Sequence, residues 1–197
     1  MDIINQNSSV NDQPVKKNIF WVPKINDKKK IRPLIFDIYL CVKYLEIDDQ
    51  EVGAWSALVI KQSLENNKSQ TTYMVSGEDR DNHIKMRLNA LKESIEWVTL
   101  SVSEEQKKHL ILNIFSNDIY LVNVIRYWIT KWETTNFNIE KEERQNKELL
   151  ISIMEQIRNI KIEITWKSEE TNEILPLKRN VESMLLNSEK EIEIDAE

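Results

Sequence analysis

The chain has 197 residues, 41% of them apolar, which is enough to bury the core of one domain, and no run of about 18 apolar residues could span a membrane. One cysteine, Cys41, and two histidines, His83 and His109, exclude an internal disulfide and any Cys- or His-rich metal site, leaving carboxylates as the ligands that a metal would need. Net charge is −6 and uneven: residues 1–32 hold seven Lys/Arg against three Asp, the remainder carries −10, and a body that acidic repels a phosphate backbone unless its cations cluster. The polar start of the chain lacks the regions of a signal peptide, so an intracellular protein without a membrane partner is expected, with cytoplasm and nucleus both open.

Residues 1–32 read as a flexible basic arm. Within it Lys28, Lys29, Lys30 and Arg32 are suited to contacting phosphates, to acting as an import signal, or to serving as a solvated linker. The apolar island Ile19 to Pro23 is expected to dock as an edge strand or to meet a partner. Leu34 to Ile47 is apolar and β-prone, Asp48 to Glu51 makes a turn, and Gly53 to Ile60 returns as a second strand. Thr71 to Val75 is a third strand, closed by the polar stretch Ser76 to Asn82. Ile84, Leu88, Leu91, Ile95 and Val98 then form a helical stripe.

Leu110 to Phe115 has the apolar run of a buried central strand, and Ser116, Asn117 and Asp118 supply N-cap chemistry for a helix starting near Asn117. On that helix Leu121, Val122, Ile125, Trp128, Ile129 and Trp132 share one face, with Asn123, Arg126, Thr130 and Lys131 outside. An acidic loop, Thr134 to Asn146, leads to a helix through Leu149, Leu150, Ile153, Met154 and Ile157. Ile160 to Trp166 alternates as a strand with one solvated face. After Pro176 comes a short helix, Lys178 to Leu186, and residues 189–197 form a loose acidic tail. The order β-β-β-α-β-α-α-β-α describes an α/β domain over residues 33–188, a mixed five-stranded sheet with helices on its faces.

From about residue 36 to 187 these segments resemble the bacterial-type ribonuclease H family. Gly53-Ala54-Trp55-Ser56-Ala57-Leu58 is similar to the family's Gly-Gly-Trp-Gly-Ala-Val strand, and Asn82 to Leu88 to its Asn-Asn-Arg-Met-Glu-Leu helix start. Ile114 to Ile125 is similar to the segment around Thr-Asp-Ser-Gln-Tyr-Val, Tyr127 to Trp132 to Gln-Trp-Ile-x-x-Trp, and Asn146 to Leu149 to Asn-x-Asp-Leu. The resemblance implies a ribonuclease H-like fold and, in active members, two divalent ions held by four acidic residues.

The chain departs from that acidic set. The first-strand acid falls on Val42 or Lys43, the first-helix acid on Arg87, the junction acid on Asn117, and the last-helix acid on Val181, or on Glu182 if the helix slips by one residue. A guanidinium at Arg87 repels divalent ions. Asp37, Asp118 and Glu182 are the remaining candidates for a rebuilt site, and Asp118 is turned by about 100° from its neighbour if both are helical. The loop that carries a Gly-His pair in the family reads Ser168-Glu169-Glu170-Thr171, and the region of the family's basic protrusion is net acidic. The expectation is a pseudoenzyme with no metal or cofactor, a protein-binding or scaffold module like the inactive ribonuclease H-like subdomains of some polymerase and viral assemblies. Two alternatives stand beside it. One is a non-cleaving binder of RNA:DNA hybrid or duplex through Lys28, Lys29, Lys30, Arg32, Lys85 and Arg87; the other is a divergent Mg²⁺-dependent nuclease.

Overall fold

The computed structural model describes residues 32–47, 50–62, 71–79, 82–135 and 146–195. The arm with Ile19 to Pro23 and Lys28 to Lys30, and most of the acidic loop, lie outside the described residues. Five strands form one sheet: β1 (Leu34–Ile47), β2 (Gln50–Lys61), β3 (Thr71–Asp79), β4 (Leu110–Ser116) and β5 (Lys161–Trp166), in the spatial order β3-β2-β1-β4-β5. β1 to β3 run antiparallel as a meander, whereas β4 is parallel to both β1 and β5, so the sheet is mixed and β4 is internal. β3 extends past the expected end at Val75, because Ser76 to Asp79 keep pairing down to Gly53. There Gly77 leaves room for the Trp55 indole: a Cβ would lie 2.8 Å from its Nε1.

β1 is covered on both faces, which is why it reads as an almost unbroken apolar run. Its even positions, Phe36, Ile38, Leu40 and Val42, join the core beneath α1 (His83–Leu100) and α5 (Lys147–Ile157). Tyr39 and Cys41 face the other way, into a smaller core under the last helix with Ile174, Leu177, Val181 and Leu185. Burial raises the Cys41 thiol to about 12, with the Glu169 carboxylate adding to the shift, so the thiol stays protonated and inert. Asn82 caps α1 by accepting from the Ile84 and Lys85 N–H groups. A single turn, α2 (Glu104–Lys107), follows α1 on a capping box of Ser103 and Gln106.

The helix after β4 is not one regular helix. α3 (Ile119–Asn123) runs into a π-helical turn (Val124–Trp128) and then α4 (Ile129–Thr134). The wider turn slips the helical face by one residue, so Val124 is fully buried while Ile125 and Trp128 are only partly so, although simple periodicity assigns both to the core. Arg126, expected to point outside, donates from Nε to the Ile164 carbonyl at 2.8 Å and ties the turn to β5.

The last helix, α6 (Leu175–Asp195), is longer than the expected Lys178 to Leu186 and takes in most of the expected loose tail. Pro176 is tolerated in the first turn, where its missing N–H has no partner to lose, and no Gly or Pro follows to stop the helix. Among the described residues no helix is long and apolar enough to cross a membrane.

A cleft where the sheet meets the last helix

β1 and β4 run in parallel until Leu40 pairs with Ser116, and Asn117 then stitches the end of β4 to β1. Its Oδ1 accepts from the Val42 N–H at 3.2 Å, and its Nδ2 donates to the Val42 carbonyl at 3.4 Å and to Glu169 Oε1 at 2.9 Å. One residue further on β1, strand alternation turns Lys43 toward α6. Lys43 Nζ lies 2.8 Å from Glu182 Oε1 and 3.5 Å from Glu169 Oε2. Lys178 approaches the same Glu169 oxygen, 3.2 Å from Oε2, and also pairs with Glu170 at 3.1 Å.

Across the cleft, on the α1 side, Arg87 Nε lies 2.9 Å from Asp118 Oδ2. Its N–H is buried and not aimed along a hydrogen bond, so the contact is ionic. The guanidinium carbon also stands 4.9 Å from the Tyr44 ring centroid and 5.7 Å from that of Tyr120. Asp118 is the N-cap of α3: its Oδ1 accepts from the Tyr120 and Leu121 N–H groups at 2.8 and 3.2 Å. The cleft has a volume of about 630 Å³, and Val42, Lys43, Arg87, Asn117, Asp118, Glu169 and Glu182 are among the residues lining it.

The charges are coupled. Burial works against the Lys43 ammonium, but the hydrogen bond to Glu182 and the nearby Glu169 charge outweigh it and hold its pKa above the ordinary lysine value. For Glu169 burial favours the neutral acid, yet the Asn117 amide and the Lys178 and Lys43 cations prevail and hold it below the usual carboxylate value. Both groups therefore stay charged at neutral pH.

The structure brings Lys43, Arg87, Asn117 and Glu182 together and leaves two other candidates out. Val181 is fully buried in the core under α6, so Glu182, one residue further round the helix, is the residue that reaches the cleft. Asp37 lies toward the other end of β1, opposite Asn113, where it accepts from Asn113 Nδ2 at 2.8 Å and Gln62 Nε2 at 2.5 Å. Six residues of extended strand, roughly 20 Å, separate it from Lys43, so it cannot share a site with Glu182. Asp118 does line the cleft, but a helix cap and Arg87 occupy both of its oxygens.

Among the residues proposed for nucleic acid, Arg32 is exposed at the opposite end of β1, Lys85 is exposed in the first turn of α1, and Arg87 faces Asp118. Sequence reasoning does not find Glu169 as a partner of Lys43, nor Lys178 as the second cation on Glu169; the only sequence signal is that Glu169 stands in the loop where the family has Gly-His. Among the described residues no group of three His, Cys, Asp or Glu is placed to hold a metal ion.

No protein-family model matches the sequence, and no curated protein sequence does. Solved structures do match. LC9-RNase H1, described as a type 1 RNase H with the type 2 active-site motif, superposes with a TM-score of 0.65 at 11% identity, over 77% of this chain and 72% of that one. The prototype foamy virus protease-reverse transcriptase gives 0.53 at 10% identity over 76% of this chain, which spans only 20% of the viral one. The N-terminal RNase H domain of a Mycobacterium tuberculosis protein, solved as a fusion with maltose-binding protein, gives 0.50 at 8% identity over 82% and 99%. At such identities the likeness is one of architecture, and it agrees with the strand order and mixed pairing of the sheet: the chain has the ribonuclease H-like fold.

Proposed function

We propose that this chain is a ribonuclease H-like module that does not cleave and that acts by docking a protein partner or serving as a scaffold. The observation that carries the reading is the Lys43 ammonium between Glu182 and Glu169, 2.8 and 3.5 Å away. The fold family's chemistry uses two divalent ions, and such a pair needs about four carboxylates to bind and to offset phosphate charge. The cleft does not fit that group. Of the four positions that the family resemblance singles out, Lys43, Arg87 and Asn117 bring no anionic oxygen, and Glu182 is already engaged by an ammonium. An ion entering here would have to displace Lys43 and overcome repulsion from Arg87. A divergent nuclease would need Asp37 beside Asp118 and Glu182, and Asp37 is held elsewhere by Asn113 and Gln62.

Non-cleaving binding of hybrid or duplex is the second reading, favoured by the basic balance of residues 1–32 and by Lys85 on the surface of α1. Both cations lining the cleft are ion-paired, so this reading rests on surfaces outside it. Isothermal titration of Mn²⁺ and Mg²⁺ into the full chain tests the first reading. No saturable binding is expected, and a tight site abolished by Glu182→Gln would contradict it.

A further inference from the structure

The cleft holding the Lys43 network is bordered by apolar side chains left in solvent. Tyr44, Leu45 and Leu186 are 46, 42 and 54% exposed, and all three line it. Next to it stands Trp166, also half exposed, whose indole N–H donates to the Asn117 carbonyl at 3.2 Å. Single exposed apolar side chains are ordinary on a protein surface, but three around one concavity with a polar floor have the composition of a docking groove.

The charges decide what fits. Arg87 is paired with Asp118, and Lys43 with Glu169 and Glu182, so an incoming anion finds no cation in the cleft without breaking an internal pair. For an incoming cation the balance differs. Glu182 is also paired, to Lys43 through Oε1, but its side chain is 44% exposed against 26% for Lys43 and 17% for Arg87, so a second cation can share it with that pair kept, and residues 33–197 carry −10. Resting on the reading of the domain as a non-cleaving protein-binding module, we propose that the cleft takes a segment of a partner protein presenting an apolar side chain next to an arginine or lysine. The apolar side chain packs on Tyr44, Leu45 and Leu186, and the cation reaches Glu182. Apolar contact supplies the affinity, and the charge selects against acidic segments and phosphate backbones.

Fluorescence anisotropy with the full chain and labelled amphipathic helical peptides tests this. One probe carries a leucine stripe flanked by arginines; a second has glutamates for the arginines, and a third serines for the leucines. The arginine-leucine peptide alone is expected to bind, and Leu45→Ser with Leu186→Ser should weaken it by about tenfold or more. Those two side chains are exposed, so the pair of changes leaves folding intact, and an unchanged melting temperature checks this. Glu182→Gln should weaken binding and reduce its dependence on salt. Equal binding of the glutamate peptide, indifference to the two leucine changes, or no binding of any peptide would overturn the proposal. Displacement of the peptide by an RNA:DNA hybrid would overturn it too, in favour of a nucleic-acid surface. The same mixtures with Mg²⁺ and labelled hybrid separate the two levels: cut hybrid defeats the non-cleaving reading, whereas intact hybrid with no peptide binding defeats only the docking inference.

Discussion

Lys43 Nζ and Glu182 Oε1 meet at 2.8 Å although 139 residues separate them in sequence, joining the middle of the sheet to the last helix. Both side chains are partly exposed, so the pair itself contributes little, about 1 kcal/mol or less. Its larger effect is to place one cation between two carboxylates, Glu169 and Glu182, with Lys178 as the second cation on Glu169.

Lys43→Met is therefore expected to destabilise the protein by about 1 kcal/mol near neutral pH, from Glu169 and Glu182 left facing each other with Lys178 alone as counter-ion. Glu169 has its folded pKa lowered, so its contribution is present above the ordinary glutamate value of about 4.3 and is lost as pH falls through the lowered one. Lys43 has its value raised, so its contribution is present below the ordinary lysine value of about 10.4 and is lost as pH rises through the raised one. Urea unfolding across pH should show the gap between wild type and Lys43→Met closing at the acid end. A gap that persists once the carboxylates are protonated would assign the effect to packing.

Introducing acids at these positions should create a metal dependence, where the proposed function expects none in the natural chain. Asn117→Asp alone loses the amide donor to Glu169 and to the Val42 carbonyl and sets two carboxylates together, at a cost of about 1 to 3 kcal/mol. Combined with Lys43→Asp and Arg87→Glu, it should leave a protein whose melting temperature rises on adding Mn²⁺. The wild type should show no such rise; equal rises in both would mean that the natural cleft already binds the ion.

The π-helical turn predicts an inversion of two neighbouring mutations. Val124 is fully buried and Ile125 only partly, so Val124→Asp should strand an unpaired charge in the core and cost several kcal/mol, as Ile114→Asp would. Ile125→Asp should be milder. Soluble yield and far-UV circular dichroism of the three variants check the order, and a regular helix would reverse the first pair.

What the sequence made legible follows from where its signals are local. The almost unbroken apolar run of β1, the alternation in β5 and the stripe of α1 each record an environment that repeats along the element. The strands and helices expected between Leu34 and Leu186 lie close to their places, whereas the single turn α2 carries no such signal. The π-helical turn escapes such reading because one extra residue per turn leaves the composition unchanged. α6 runs past the expected Leu186 because the charged residues that suggest a loose tail are equally compatible with helix. At the cleft, Lys43, Arg87 and Asn117 were located by their order in the chain. Glu169, which meets Lys43 and Asn117, and Lys178, which pairs with Glu169, were not, because an ion pair between distant segments leaves no periodic trace.

The most direct measurement is cleavage. The purified chain incubated with an RNA:DNA hybrid labelled on its RNA strand, in Mg²⁺ and separately in Mn²⁺, should leave that strand intact at protein excess and long times, because Lys43 and Arg87 stand in the cleft where two ions would need carboxylates. Metal-dependent cutting of the RNA strand by the unmodified protein, lost in Asp118→Asn or Glu182→Gln, would contradict the account.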